Sequence, residues 1–101
     1  MGPESYAESV LTQLVRALGG LSIKLMPTRQ GMPDRLIVLP GGRFYFVEMK
    51  SAVGRASLSQ KHMHSVLEKL GAPVVILLGA PDVREWIRAL TDDEFEKSAS
   101  L

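Results

Sequence analysis

Two charged side chains sit in a segment that otherwise reads as core, and a third immediately precedes the apolar run before it. In the run Arg43–Lys50, alternate residues of a strand would face opposite sides. Tyr45, Val47 and Met49 share one face, and Phe44, Phe46, Glu48 and Lys50 share the other. Both faces begin apolar, as in a central strand, yet Glu48 and Lys50 stand side by side at the C-terminal end. A carboxylate and an ammonium are costly to bury unless they are paired or bind a metal. The plain alternative is a structural ion pair at a strand end. Asp34 adds to the case. It lies in Gly31-Met32-Pro33-Asp34-Arg35, just before the apolar run Leu36–Leu39. If that run and Arg43–Lys50 pair as a hairpin across Pro40-Gly41-Gly42, the start of the first strand lies beside the end of the second. Asp34 then falls next to Glu48 and Lys50. Two carboxylates at one point repel unless a cation lies between them. Mg²⁺ takes one or two carboxylates and binds beside phosphate, and a lysine supplies compact charge to a phosphorane or hydroxide.

Other candidates are ambiguous from spacing. Glu8 borders the apolar stripe of the first helix and could point inward. Ser5-x-x-Glu8 also reads as a capping box, which the spacing favours. Glu4, one turn earlier, competes for any functional role. Ser57-x-x-Gln60 is a second capping box, but Gln60 also enters its helix directly after a charged loop and could reach a phosphate, a water or a carboxylate. His62 and His64 lie about 200° apart around a helix and cannot share one metal. Both read as surface or partly buried residues. Met26, Met32, Met49 and Met63 are too scattered for a cofactor box and read as gap-filling or loop residues.

The elements that must position these groups follow from periodicity. Ala7, Val10, Leu11, Leu14 and Leu18 recur at helical spacing before Gly19-Gly20, which predicts a helix over about 5–18. Leu21–Met26 reads as a short strand and Pro27–Pro33 as a loop. Leu36–Leu39 and Arg43–Lys50 form the hairpin. A helix begins at Ser57, with Met63, Val66, Leu67 and Leu70 on one face and Gly71 as its end. Val74–Leu78, apolar at every position, predicts a strand buried on both faces. Val83, Trp86, Ile87 and Leu90 mark a last helix with Pro81 at its start. The order is α-β-β-β-α-β-α in one domain over 1–101, with a core of about 4–90 and an acidic tail, 91–101, that frays.

Composition excludes several classes. The 101 residues include no cysteine, so disulfides, thiolate zinc sites and thiol nucleophiles are ruled out. Aromatics are only 6%, which disfavours base-stacking platforms. The longest apolar run, Pro73–Leu78, is too short to cross a bilayer. No signal peptide is recognisable, so a soluble cytoplasmic protein without membrane association is expected. The net charge of +1 hides a division. Residues 24–61 carry seven basic side chains against two acidic ones, whereas the C-terminal part is acidic. Such a local basic stretch is either the footprint of a polyanionic partner or ordinary surface charge that happens to cluster.

Gly31-Met32-Pro33-Asp34-Arg35, Phe46-Val47-Glu48-Met49-Lys50 and Gly54-Arg55-Ala56-Ser57-Leu58-Ser59-Gln60 together resemble the virus-type replication-repair nuclease (VRR-NUC) domain, a branch of the PD-(D/E)XK nuclease superfamily. That family shows a Gly-x-Pro-Asp-Arg turn, a Glu-x-Lys on the next strand and a Gly-x-Leu-Ser-x-x-Gln helix entry. The resemblance runs from about Glu4 to about Leu90. Ala56 departs from the family's usual leucine, a packing change that touches no chemistry.

The resemblance implies an α/β fold with a restriction-endonuclease-like core, a mixed central β-sheet flanked by helices. It implies a divalent-metal-dependent endodeoxyribonuclease with Mg²⁺ or Mn²⁺ as cofactor. Asp34 and Glu48 become metal ligands, with the Met49 backbone carbonyl as a further oxygen, and Lys50 becomes the catalytic lysine. Glu8 matches the first-helix carboxylate, a catalytic residue and further candidate metal ligand, with Glu4 still open, and Gln60 matches the helix-entry glutamine of the catalytic set. Arg29, Arg35, Arg43, Arg55, Ser57 and Lys61 are candidates for holding DNA phosphates, which positions DNA without reading sequence. Stand-alone phage and bacterial members of about this length resemble Holliday-junction resolvases acting as homodimers on branched double-stranded DNA. Spare apolar side chains around Trp86 and Leu90 are possible contributors to such a dimer interface. The competing readings are a DNA-binding module with an idle site and a flap- or end-specific repair nuclease. The chain has no room for a target-recognition domain, which disfavours a sequence-specific endonuclease.

Overall fold

The computed structural model describes residues 3–26, 29–51 and 53–99. A first helix, α1 (Pro3–Ala17), leads into β1 (Leu21–Lys24), β2 (Arg35–Leu39) and β3 (Arg43–Lys50). Helix α2 (Leu58–Lys69), strand β4 (Val74–Leu78) and helix α3 (Gly79–Ala99) follow. The four strands form one sheet in the order β1-β2-β3-β4. The first two pairings are antiparallel and the last is parallel. The expected mixed sheet and element order are therefore present. The tight link between β2 and β3 is a 3-10 turn, Pro40–Gly42. Gly41 and Gly42 both have positive φ (85° and 78°), which a side chain would strain.

The two faces of the sheet are covered unequally. On one, Ile37, Leu39, Val47, Met49 and Leu77 pack against α1 through Ala7, Val10, Leu11 and Val15, and against α3 through Val83, Ile87 and Leu90. Tyr45 meets Trp86 edge-on, ring centroids 5.3 Å apart. These apolar residues of α3 are therefore spent on the core and do not offer a free interface. Contrary to the fraying expected after Thr91, the backbone of α3 stays helical through Ala99.

The opposite face carries Leu21, Phe44, Ile76 and Leu78 and is only partly covered by α2. Ile76 is 44% exposed and Phe44 43% exposed. The expectation that β4 is buried on both faces is thus overturned. A continuous apolar run suits an inner parallel strand, but β4 is the edge of this sheet, beyond β3.

Candidate active site

Asp34 immediately precedes β2. Arg35 pairs with Val47, so continuing the register sets Asp34 opposite Glu48. Residues opposed in an antiparallel pair point to one face with Cβ atoms about 5 Å apart. The approach is pinned by backbone bonds. Leu25 N–H donates to the Asp34 carbonyl at 2.8 Å. The Met49 N–H donates to both carboxylate oxygens of Asp34, at 3.1 and 3.3 Å. Pro33 is fully buried beside it. Gly31, at φ 85°, rests against the first turn of α2, where any Cβ would collide with the Ser59 carbonyl. The Gly31–Arg35 turn, the end of β3 and the start of α2 are thereby held together.

Glu48 is buried although it lies on the less covered face, and 4% of it is exposed. Lys50 Nζ stands 3.9 Å from its Oε2. His64 Nε2, from α2, stands 4.0 Å from its Oε1. That separation would suit an ion pair. Burial, reinforced by the Lys50 charge, nevertheless pushes the His64 pKa below its ordinary value, against a smaller upward pull from Glu68 and Asp34. The ring is therefore neutral at neutral pH. By spacing alone His64 reads as an ordinary helical histidine. Its position four residues after Gln60, on the same side of α2, is the signal that could have found it.

The other candidates fall elsewhere. Helix α1 begins at Pro3, so Ser5 lies inside it and is not its N-cap. Glu8 instead meets Arg35, with Oε1 3.6 Å from Nη2, while Arg35 Nη1 donates to Ser22 at 3.2 Å. Arg35 shares the Val47 side of the sheet, so Glu8 is held across the sheet from Glu48 and Lys50. The Glu4 side chain lies outside the described residues. Gln60 forms the capping box: its Oε1 accepts from Ser57 N–H at 2.9 Å, and its own N–H donates to Ser57 Oγ at 3.2 Å. Arg29, Arg55, Ser57 and Lys61 are exposed in the turn before Asp34 and around the start of α2. Arg43 is separate, at the far end of β3, where it lines a cleft with Leu18, Leu39, Pro40, Leu90 and Thr91. Arg35 is only 11% exposed at its side chain and engaged by Glu8, which leaves it little reach toward a phosphate.

The donor set suits a hard divalent cation. Asp34 and Glu48 oppose each other, and like charges so placed are destabilising without a cation. Among the described residues no group of three or more His, Asp or Glu side chains is arranged to hold a metal ion by itself. An ion here would rest on the carboxylate pair and backbone oxygen, with solvent and substrate completing its shell, which is how Mg²⁺ is commonly held beside phosphate.

The chain is thus an α/β domain, a mixed sheet flanked by helices with a carboxylate pair and a lysine at one end of a β-hairpin. No family model matches the chain. A relative named "Putative nuclease p44", from Acyrthosiphon pisum secondary endosymbiont phage 1, is 39% identical over 75 residues, covering 73% of this chain and 81% of the relative. A solved structure described as a VRR_NUC domain superposes with a TM-score of 0.80 at 31% identity, covering 87% of this chain and 97% of that one. The chain belongs to the VRR-NUC nuclease family.

Proposed function

We propose that this protein is a divalent-metal-dependent, structure-specific endonuclease that hydrolyses phosphodiester bonds in branched DNA, with the four-way Holliday junction as its substrate and a homodimer as its working unit. The observation that carries the reading is the assembly of Asp34, Glu48 and Lys50 at one end of the β2–β3 pair, with the Met49 amide on Asp34 and the Lys50 ammonium beside Glu48. Asp34, Glu48 and the Met49 carbonyl would hold Mg²⁺ or Mn²⁺. When bound, such an ion polarises the scissile phosphate and acidifies a water. Lys50 neutralises charge building on the phosphate oxygens. Arg29, Arg55, Ser57 and Lys61 would grip flanking phosphates, which favours recognition of branch shape over base sequence.

Two symmetric cuts resolve a four-way junction into intact duplexes, and a two-fold dimer supplies two sites in fixed relation. No helix among the described residues is long and apolar enough to cross a membrane, and the phage source of the relative fits a cytoplasmic site of action.

The deciding experiment is a gel assay of the purified protein on four-way, flap and linear DNA, with Mg²⁺, with Mn²⁺ and with EDTA. Paired symmetric cuts in the four-way junction, present only with metal, are expected. Metal-dependent cutting confined to flaps or ends would replace the resolvase reading with a branch-nicking one. Tight binding without cleavage would leave a DNA-binding module.

A further inference from the structure

His64 has no part in the function proposed above, yet packing alone accounts poorly for it. Helix α2 has 12 residues and buries one of them, and that one is a histidine. A helix needing only an anchor would bury a leucine or methionine there. The ring is 9% exposed, and Nε2 has no hydrogen-bond partner among the described residues. It faces Glu48 Oε1 at 4.0 Å while Lys50 Nζ faces Oε2 at 3.9 Å, so a nitrogen stands on each side of the carboxylate. The gap is about 1 Å longer than a hydrogen bond. Such bonds are often long before ligands bind and tighten afterwards.

We propose that His64 is a positioning residue for Glu48: its Nε2–H holds Oε1 and fixes the plane of the carboxylate that would carry the divalent ion. This rests on the metal reading of Asp34 and Glu48. A carboxylate free to rotate binds an ion less well, because the ion must then order it. Ligating carboxylates are commonly oriented by such an outer hydrogen bond, and loss of the bond costs about 10–100-fold in metal affinity. His64→Leu removes the donor and keeps the bulk. His64→Gln restores an N–H near the Nε2 position.

The test is Mn²⁺ binding to each protein alone by titration calorimetry, beside thermal melts in EDTA and cleavage as a function of Mn²⁺ concentration. His64→Leu should bind Mn²⁺ about 10–100-fold more weakly, with cleavage recovering toward wild type at saturating Mn²⁺. His64→Gln should recover most of the affinity. Unchanged Mn²⁺ affinity in His64→Leu overturns the proposal, as does His64→Gln behaving like His64→Leu. Should His64→Leu fail to fold, imidazole nitrogen NMR of the wild type decides: an Nε2–H tautomer supports the role, and a proton on Nδ1 alone overturns it. Direct nitrogen coordination in the Mn²⁺ spin-echo spectrum would make His64 a ligand and also overturn it. A wild-type protein that binds no Mn²⁺ removes the metal reading itself, an outcome distinct from all of these.

Discussion

Both oxygens of the Asp34 carboxylate accept from one backbone N–H, that of Met49, although the two residues are 15 positions apart. The carboxylate thus braces the end of the hairpin as well as facing Glu48, and charge and brace can be separated by substitution. Asp34→Asn keeps an acceptor oxygen for Met49 and should fold normally while losing cleavage. Asp34→Ala should also lose about 1–2 kcal/mol of stability, since the Met49 N–H loses its charged acceptor. Denaturant melts alongside cleavage assays check this. Equal stability of the two variants would show that the hydrogen bond contributes nothing.

Lys50→Met should lower cleavage at least about 100-fold, the usual loss when a group stabilising developing oxyanion charge is removed. Glu48→Gln should remove cleavage together with Mn²⁺ binding, whereas Lys50→Met should retain the metal. Near-normal turnover in either variant would detach that residue from the chemistry.

DNA binding should divide along the structure. Neutralising Arg29, Arg55 or Lys61 should weaken binding equally across sequences and reduce the salt slope by about 0.9 for each phosphate no longer neutralised. Arg35→Ala should leave the slope alone and instead destabilise the fold by roughly 1–3 kcal/mol, because Glu8 loses a charged partner in a largely enclosed place. Arg43→Ala, at the far end of β3, should also leave the slope unchanged. Filter binding over a salt series distinguishes these outcomes.

Gly31→Ala should be costly for so small a change. It places a Cβ at φ 85° and against the Ser59 carbonyl. Strain at such a position is worth about 1–3 kcal/mol, and relief requires the Asp34 turn to move away from α2. Lower melting temperature and lower Mn²⁺ affinity are expected together. A loss of stability with intact metal binding would mean that the turn does not set Asp34.

Light scattering at micromolar concentration should report about twice 11.1 kDa. With Trp86 and Leu90 committed to the core, the exposed apolar side chains of the opposite sheet face are the surface to test. Leu21→Glu or Phe44→Glu should yield a folded monomer, since neither residue belongs to the buried core and both lie at the end of that face remote from Glu48. A dimer that survives both changes would move the interface elsewhere.

Much of the candidate site's arrangement was legible because it depends on local rules. The alternation of Arg43–Lys50 and the short Pro40–Gly42 turn fix an antiparallel register, and that register alone brings Asp34 opposite Glu48. The apolar stripes of α1 and α3, the glycine stops and the Ser57–Gln60 box likewise act over a few residues. What depended on distant chain segments was not legible. Glu8 could cap its helix or face the core until α1 lay across the sheet and met Arg35. An apolar β4 could be inner or edge, and only the strand order made it an edge. His64 looked like any helical histidine until α2 folded over the end of β3 and enclosed it with Glu48. Sequence spacing determines what lies next to what along one element or across one tight turn. Which face a helix covers, and hence which polar groups are enclosed together, is decided by packing among elements far apart in the chain.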